Sequence, residues 1–333
     1  MAKALLEVTD LAVSFSRGGD GTPRFSVADV DFSVAEGEIV GIVGESGSGK
    51  TVTARAIAGL LPSASHVEGS MVFEGTELAG TQGARARLSR QGVSYIFQNP
   101  IKALDPVFTV GSQLIETLKT QRGLRGAAAE SAAIELLTSV GIPEPARRMT
   151  EYPHSFSGGM AQRVMIALAL ACNPRLLIAD EPTSALDVSI QAQILSLLGR
   201  IREQEGTGIV FISHSLGAVA ELCDRVIVMY SGRVVEVGPT EEIIRDPRHP
   251  YTLGLLESVP QLTASEVAEV PFHEIPIAED LLGPEVAGCN FANRCRFALP
   301  ECVTTPAEML EVGPDRATRC IRTDELFATG GLS

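Results

Sequence analysis

The sequence predicts an α/β fold: a parallel sheet covered by helices, with a helical insertion and a small cysteine-rich C-terminal extension. Three observations carry this expectation. Four short, continuous apolar runs, "EIVGIVG" (38–44), "LLIAD" (176–180), "GIVFIS" (208–213) and "RVIVMY" (225–230), read as strands buried on both faces. Between two of them Ile190, Ile194, Leu197, Leu198 and Ile201 recur at helical spacing, which predicts an amphipathic helix over 188–204 packed on the sheet. From about residue 88 to 160 the pattern turns helical through "VGSQLIETLKT" and "AAAESAAIELLTSVG", the second stopped at Gly141 with Pro143 behind it. After "RHPYTLGLLESVP" (248–260) the chain becomes irregular and proline-rich, and four of its six cysteines follow. Residues 1–250 are thus expected to form the main domain and 251–333 a separate C-terminal region.

At 333 residues and 45% hydrophobic composition the chain can bury a full core. A formal net charge of −14 leaves no basic footprint, which disfavours nucleic acid as a partner, and none is expected. No apolar run approaches the roughly 18 residues that a membrane-spanning helix needs, and "MAKALLEVTD" lacks an apolar leader, so a soluble, cytoplasmic chain is expected. Six cysteines are too few for a disulfide scaffold.

"GESGSGKT", Gly44 to Thr51, matches the GxxxxGK[ST] phosphate loop between an apolar strand and the helical "VTARAIAGLL". Gly44, Gly47 and Gly49 leave backbone N–H groups bare for phosphate, together with Ser46 and Ser48; Lys50 adds a mobile positive charge, and the Thr51 hydroxyl can ligate Mg²⁺. "LLIADEPTSALD" carries an apolar strand into Asp180, which can hold Mg²⁺ through its water, and Glu181 follows it as a candidate base for an attacking water. His214 ends another strand and can contact a γ-phosphate, and Gln98 in "IFQNP" is a polar candidate for the same water. Alone, each has a plainer reading: a cap for Asp180 and Glu181, a loop residue for Gln98, a core histidine for His214. Their order behind a phosphate loop favours a site.

A second anion-binding helix start lies at "SFSGGMAQR". Ser157 is a good N-cap, and Gly158 and Gly159 let N–H groups approach a phosphate with no side chain between. Met160 at the third helical position forms no capping box that would compete for those donors.

The ordered set of phosphate loop, Gln98, "SFSGGM", "ADEP", "SALD" ending at Asp187, and His214 resembles the ATP-binding subunits of ABC transporters over residues 5–240. The resemblance implies a P-loop NTPase core of ABC type that binds ATP and Mg²⁺, the ion being held by Thr51, Gln98 and Asp180. It implies two such subunits facing head to tail, so that Ser157, Gly158, Gly159 and Asp187 of one close on the nucleotide of the other. Phe15 falls where the family stacks an aromatic ring on adenine, with an ordinary strand residue as the alternative. Gln98 would report phosphate state to a membrane partner. Ser215 departs from the aspartate that many relatives carry after the histidine.

"VMYSGRVVEVGP", "PRHPYTLGLL" and "GCNFANRCRFALPEC…RC" narrow the resemblance to the oligopeptide and dipeptide importers, a family that includes nickel importers. Cys289, Cys295, Cys302 and Cys320 are separated by five, six and seventeen residues. Four thiolates suit zinc or an iron–sulfur cluster, and the lack of a paired CxxC spacing favours a cluster over zinc, with free or bridged thiols still open. The resemblance implies a [4Fe–4S] centre there. It also implies two membrane-spanning permease subunits, a second ABC ATPase subunit (a homologous partner or a second copy), an extracytoplasmic peptide-binding protein, and a peripheral place at the cytoplasmic face of the cell membrane. A nickel or other small-solute importer is the alternative within the family. A soluble ABC ATPase of DNA repair or translation is disfavoured by the single phosphate loop, the absence of sustained heptads and a pI near 4.9.

Overall fold

The computed structural model describes residues 4–17, 23–78, 92–184, 186–258 and 287–327. The proline-rich stretch 261–286 and the first residues of the expected helical insertion, 88–91, lie outside the described residues.

Twelve described strands form two sheets. The first is antiparallel, in the order β2-β1-β4-β5, from β1 (Ala4–Arg17), β2 (Pro23–Ala35), β4 (His66–Phe73) and β5 (Thr76–Glu77). The second runs β11-β12-β10-β9-β3-β8-β7-β6. Its parallel part is β3 (Ile39–Val43), β6 (Val93–Ile96), β7 (Leu176–Asp180), β8 (Gly208–Ser213) and β9 (Arg225–Tyr230). The apolar runs of the sequence are therefore strands, and their continuity has a physical cause, because both faces are covered. In β3, Ile39 and Val43 join one core while Val40 and Ile42 join the other; β8 divides likewise, Ile209 and Phe211 against Val210 and Ile212.

One face packs on the antiparallel sheet, through Leu6, Leu11, Val30 and Phe73, and on the helix Lys50–Ile57. The other carries the helices Gly158–Leu170, Val188–Glu205 and Leu216–Leu222. The helix expected over 188–204 ends at Glu205, with Asp187 as its N-cap and Gly206 left-handed at its end (φ 65). The insertion is helical, with Val110–Arg122 and Ala127–Ser139 burying Val110, Leu114, Leu118, Ala133 and Leu137 in the same core. Gly141 (φ 77) turns the chain where the sequence expects the stop.

The remaining strands continue the main sheet antiparallel. Ser231 (φ 47) and Gly232 (φ 81) make a two-residue turn of the kind that suits right-twisted strands, sending β9 into β10 (Arg233–Pro239). The hairpin β11 (Leu310–Gly313) and β12 (Arg316–Thr318) from the cysteine-bearing segment then pairs on β10, with Glu236 opposite Thr318 and Val237 opposite Ala317. The helix Pro250–Glu257 inserts Tyr251, fully buried, against Tyr230 and Phe291. Among the described residues no helix is long and apolar enough to cross a membrane.

Candidate active site

Ligand-binding groups of a parallel sheet collect beyond the C-terminal ends of its strands. The phosphate loop follows β3, Gln98 follows β6, Glu181 follows β7 and His214 follows β8, so four separate stretches meet at one end of the sheet.

The loop closes tightly on its neighbours. A Cβ on Gly44 would lie 2.2 Å from the Met229 carbonyl oxygen, and one on Gly49 would lie 3.0 Å from Val27. Gly49 also caps its helix at φ 101, a conformation that side chains resist. Lys50, only 4% exposed, folds back so that Nζ donates to the Gly44 and Glu45 carbonyls, both at 2.8 Å. Burial lowers its pKa, and Glu181, Asp180 and Glu45 oppose that shift. Ser48 is buried in the loop and its carbonyl accepts from Gly232 N–H at 3.0 Å, so the β9–β10 turn braces it. Ser46 and Gly47 stand more open, with nothing within 4 Å of a Cβ on Gly47.

Asp180 and Glu181 are adjacent but face different partners. Asp180, 2% exposed, accepts from the Thr51 hydroxyl at 3.1 Å and from Tyr95 OH at 2.6 Å. Burial raises its pKa and these two donors oppose the rise. At Glu181 the backbone swings into the left-handed region (φ 46), held by its N–H to the Ile212 carbonyl at 3.0 Å. Its carboxylate accepts from Gln98 Nε2 at 2.7 Å, and His214 Nδ1 stands 3.6 Å from the same oxygen. Thr51 and Asp180, both expected at a metal, are thus brought into contact, and the Gln98 amide is turned to Glu181.

The signature segment is built separately. Ser157 caps the helix Gly158–Leu170 by accepting from Met160 N–H at 3.4 Å. Ser157 and Gly158 are exposed; Gly159 abuts Ile190, whose Cγ2 would lie 2.8 Å from an added Cβ. Among the described residues no hydrogen bond or ion pair joins residues 157–159 to the phosphate loop. Asp187 spends its carboxylate on its own helix start, accepting from Ile190 N–H at 3.0 Å and Ser189 Oγ at 2.8 Å, which lowers its pKa. Phe15 is 45% exposed on β1.

The four C-terminal cysteines, Cys289, Cys295, Cys302 and Cys320, are all free thiols and line one pocket with Phe291, Phe297 and Ile321. Burial raises the Cys289 and Cys295 thiols and pushes Cys320 up to about 12. Among the described residues no three His, Cys, Asp or Glu side chains are gathered closely enough to hold a metal ion.

Several participants escaped the sequence reading. Tyr95 has one signal, a hydroxyl on a buried strand that must find a partner, here Asp180. Glu45 is held from three sides: its N–H donates to Tyr251 OH at 2.8 Å, its carbonyl accepts from Lys50, and its carboxylate accepts from Arg294 at 2.8 and 3.1 Å. Nothing local in the sequence links Arg294 to a loop 249 positions away.

Residues 27–184 match the ABC transporter family, and residues 235–302 match the oligopeptide/dipeptide transporter C-terminal region. The chain is 48% identical over 323 residues to the oligopeptide transport ATP-binding protein OppD of Mycobacterium tuberculosis, covering 96% of this chain and 52% of that protein. It therefore spans about half the length of the first curated relatives it matches. It is 45% identical to OppD of Haemophilus influenzae, covering 91% of this chain and 92% of that protein. Among solved structures it is similar to a dimeric post-hydrolysis state of the ATP-binding cassette MJ0796 bound to ADP and Pi, with a TM-score of 0.62 and 26% identity over 71% of this chain and 98% of that one. The strand order, the converging loops and these matches together make the chain a member of the ABC transporter ATP-binding family, with an α/β ATP-binding cassette fold, in the branch that carries the oligopeptide/dipeptide transporter C-terminal region.

Proposed function

We propose that this chain is the ATP-hydrolysing subunit of an importer of oligopeptides or dipeptides, one of two facing ATPase subunits at the cytoplasmic face of the cell membrane. The observation that carries the reading is the Glu181 carboxylate, placed between Gln98 and His214 and one residue beyond the Thr51–Asp180 pair at the mouth of a phosphate loop. Glu181 takes the proton of the attacking water, and Gln98 orients that water and the carboxylate. His214, more exposed, contacts the γ-phosphate. Lys50 leaves the carbonyls of Gly44 and Glu45 to meet the phosphates, and the loop N–H groups from Gly44 to Thr51 cradle them. Thr51 and Asp180 suit Mg²⁺ by chemistry and by their contact and would hold it together with Gln98, and the ion would supply neutralisation of charge on the transferred phosphate. Phe15, exposed on β1, offers its ring to adenine.

The partner subunit's γ-phosphate meets Ser157, Gly158 and Gly159, whose outward-facing helix start supports a shared site, and Asp187 fixes the neighbouring helix start. On either side of Gln98 in the chain stand the exposed apolar side chains Phe97, Ile101, Val107 and Phe108, which suit contact with one of two membrane-spanning permease subunits. The peptide class of cargo, and with it an extracytoplasmic peptide-binding protein, follows the naming of the relatives. Residues 1–250 serve as the ATP-binding domain, with its helical part at about 88–160, and 251–333 as the C-terminal region.

In that region four free thiols line one apolar pocket, and their sequence spacing, which lacks a paired CxxC, supports a [4Fe–4S] cluster over zinc. Cys289, Cys295, Cys302 and Cys320 would hold it, and it would supply cross-linking of the segment. Anaerobic purification should yield iron and labile sulfide; zinc alone would remove the cluster from the reading.

The central test is Glu181→Gln, which keeps the hydrogen bond to Gln98 but not the base. Turnover should fall about a thousandfold while ATP stays bound, read by phosphate release and by nucleotide retention. Undiminished turnover would remove Glu181 from its role.

A further inference from the structure

Glu45 stands at the second position of the phosphate loop. It places a carboxylate beside the seat of a polyanion, and like charges at such range repel unless one is neutralised. The structure supplies the neutralising charge from the far end of the chain. Arg294 grips Glu45 with two guanidinium nitrogens, at 2.8 and 3.1 Å, and its side chain is only 5% exposed. It lies over the rings of Tyr230 and Phe291, at 5.7 and 5.9 Å from their centroids, and the Tyr230 hydroxyl stands 3.4 Å from the same guanidinium. Tyr251, packed against both rings, holds the backbone of Glu45. Arg294 is followed by Cys295, which lines the four-thiol pocket, so the segment that carries the cysteines also carries this cation.

We infer that Arg294 is a positioning residue of the nucleotide site: it cancels and turns aside the Glu45 carboxylate, so that the phosphate loop accepts the polyphosphate of ATP. The C-terminal region thereby sets nucleotide affinity without touching the nucleotide. Lys50 meets the same residue from the other side, donating to the Glu45 carbonyl at 2.8 Å. The inference rests on the proposed reading of residues 44–51 as an ATP site.

The test is Mg-ATP affinity of the full chain by equilibrium titration. Arg294→Gln should weaken binding about tenfold, and adding Glu45→Gln in that background should restore it to within about twofold of wild type. Such rescue separates charge cancellation from a tether, because a tether lost from both ends stays lost. Unchanged affinity in Arg294→Gln, or a loss that Glu45→Gln does not mend, would overturn the inference. Should Arg294→Gln fail to fold, Arg294→Lys carries the test: with the charge kept and the fork lost, it should bind within about threefold of wild type, and a tenfold loss overturns the assignment. A wild-type chain without Mg-ATP affinity would instead overturn the reading of the site itself.

Discussion

The phosphate loop and the signature helix are both glycine-rich helix starts, and they are constructed in opposite ways. At the loop, the chain attends to its own groups: Lys50 is on two carbonyls, Ser48 is braced by Gly232, Thr51 is on Asp180, and Glu45 is held on three sides. At the signature, a single long bond from Met160 N–H to Ser157 closes the cap, and Ser157 and Gly158 face outward. One anion site is finished within the fold and the other waits for something outside it. On the proposed function, a division of this kind makes ligand capture a property of one chain and catalysis a property of two.

Paired substitutions can break that contrast. Lys50→Ala should reduce Mg-ATP affinity of the isolated chain about a hundredfold, since a charge-assisted bond to phosphate is lost. Gly158→Asp should leave that affinity intact and cut ATPase activity by a similar factor. An added Cβ there meets nothing nearer than Leu186 at 3.7 Å, so the chain has room to fold, and the new carboxylate opposes the incoming phosphate. Equal loss of binding in both variants would place the signature inside the first site and end the distinction.

A smaller effect separates the two signature glycines. Gly159→Ala drives a methyl to 2.8 Å from Ile190, which should lower stability by about 1–2 kcal/mol in thermal unfolding, whereas Gly158→Ala should cost little. Equal melting temperatures would show that Ile190 yields freely.

The smallest effect concerns the junction of the main sheet with the C-terminal region. Glu236 is fully buried, and burial lifts its carboxyl from 4.5 to about 6 despite the Arg248 N–H and Arg316. A raised folded-state value means stability present below pH 4.5 and lost as the pH rises through 6. Glu236→Gln should flatten the decline in melting temperature across that window by about 1–2 °C, and superimposable profiles would deny Glu236 this part.

The legibility of the sequence follows from burial and distance. β3, β7, β8 and β9 were readable because strands covered on both faces carry unbroken apolar runs. The antiparallel sheet was not, because β1 mixes Glu7, Thr9 and Asp10 among its core residues and shifts register at Asp10, a non-glycine at φ 51. In the site, Lys50, Thr51, Asp180 and Glu181 stand at motif spacings, so their meeting was foreseeable. The Gln98–Glu181 bond depends on the side-by-side order of β6 and β7, which no spacing expresses. Arg294 and Tyr251 reach Glu45 only after the last quarter of the chain has folded back.

That return has a practical outcome. β12 occupies the open margin of β10, and β11, short and largely exposed, becomes the outermost strand in its place. A version of the protein cut before Leu310 would open the edge of β10 that β12 covers at Glu236 and Val237, a template on which other copies can add strands. Shortened forms made to isolate the catalytic portion would then be prone to aggregate, however complete their nucleotide-binding motifs.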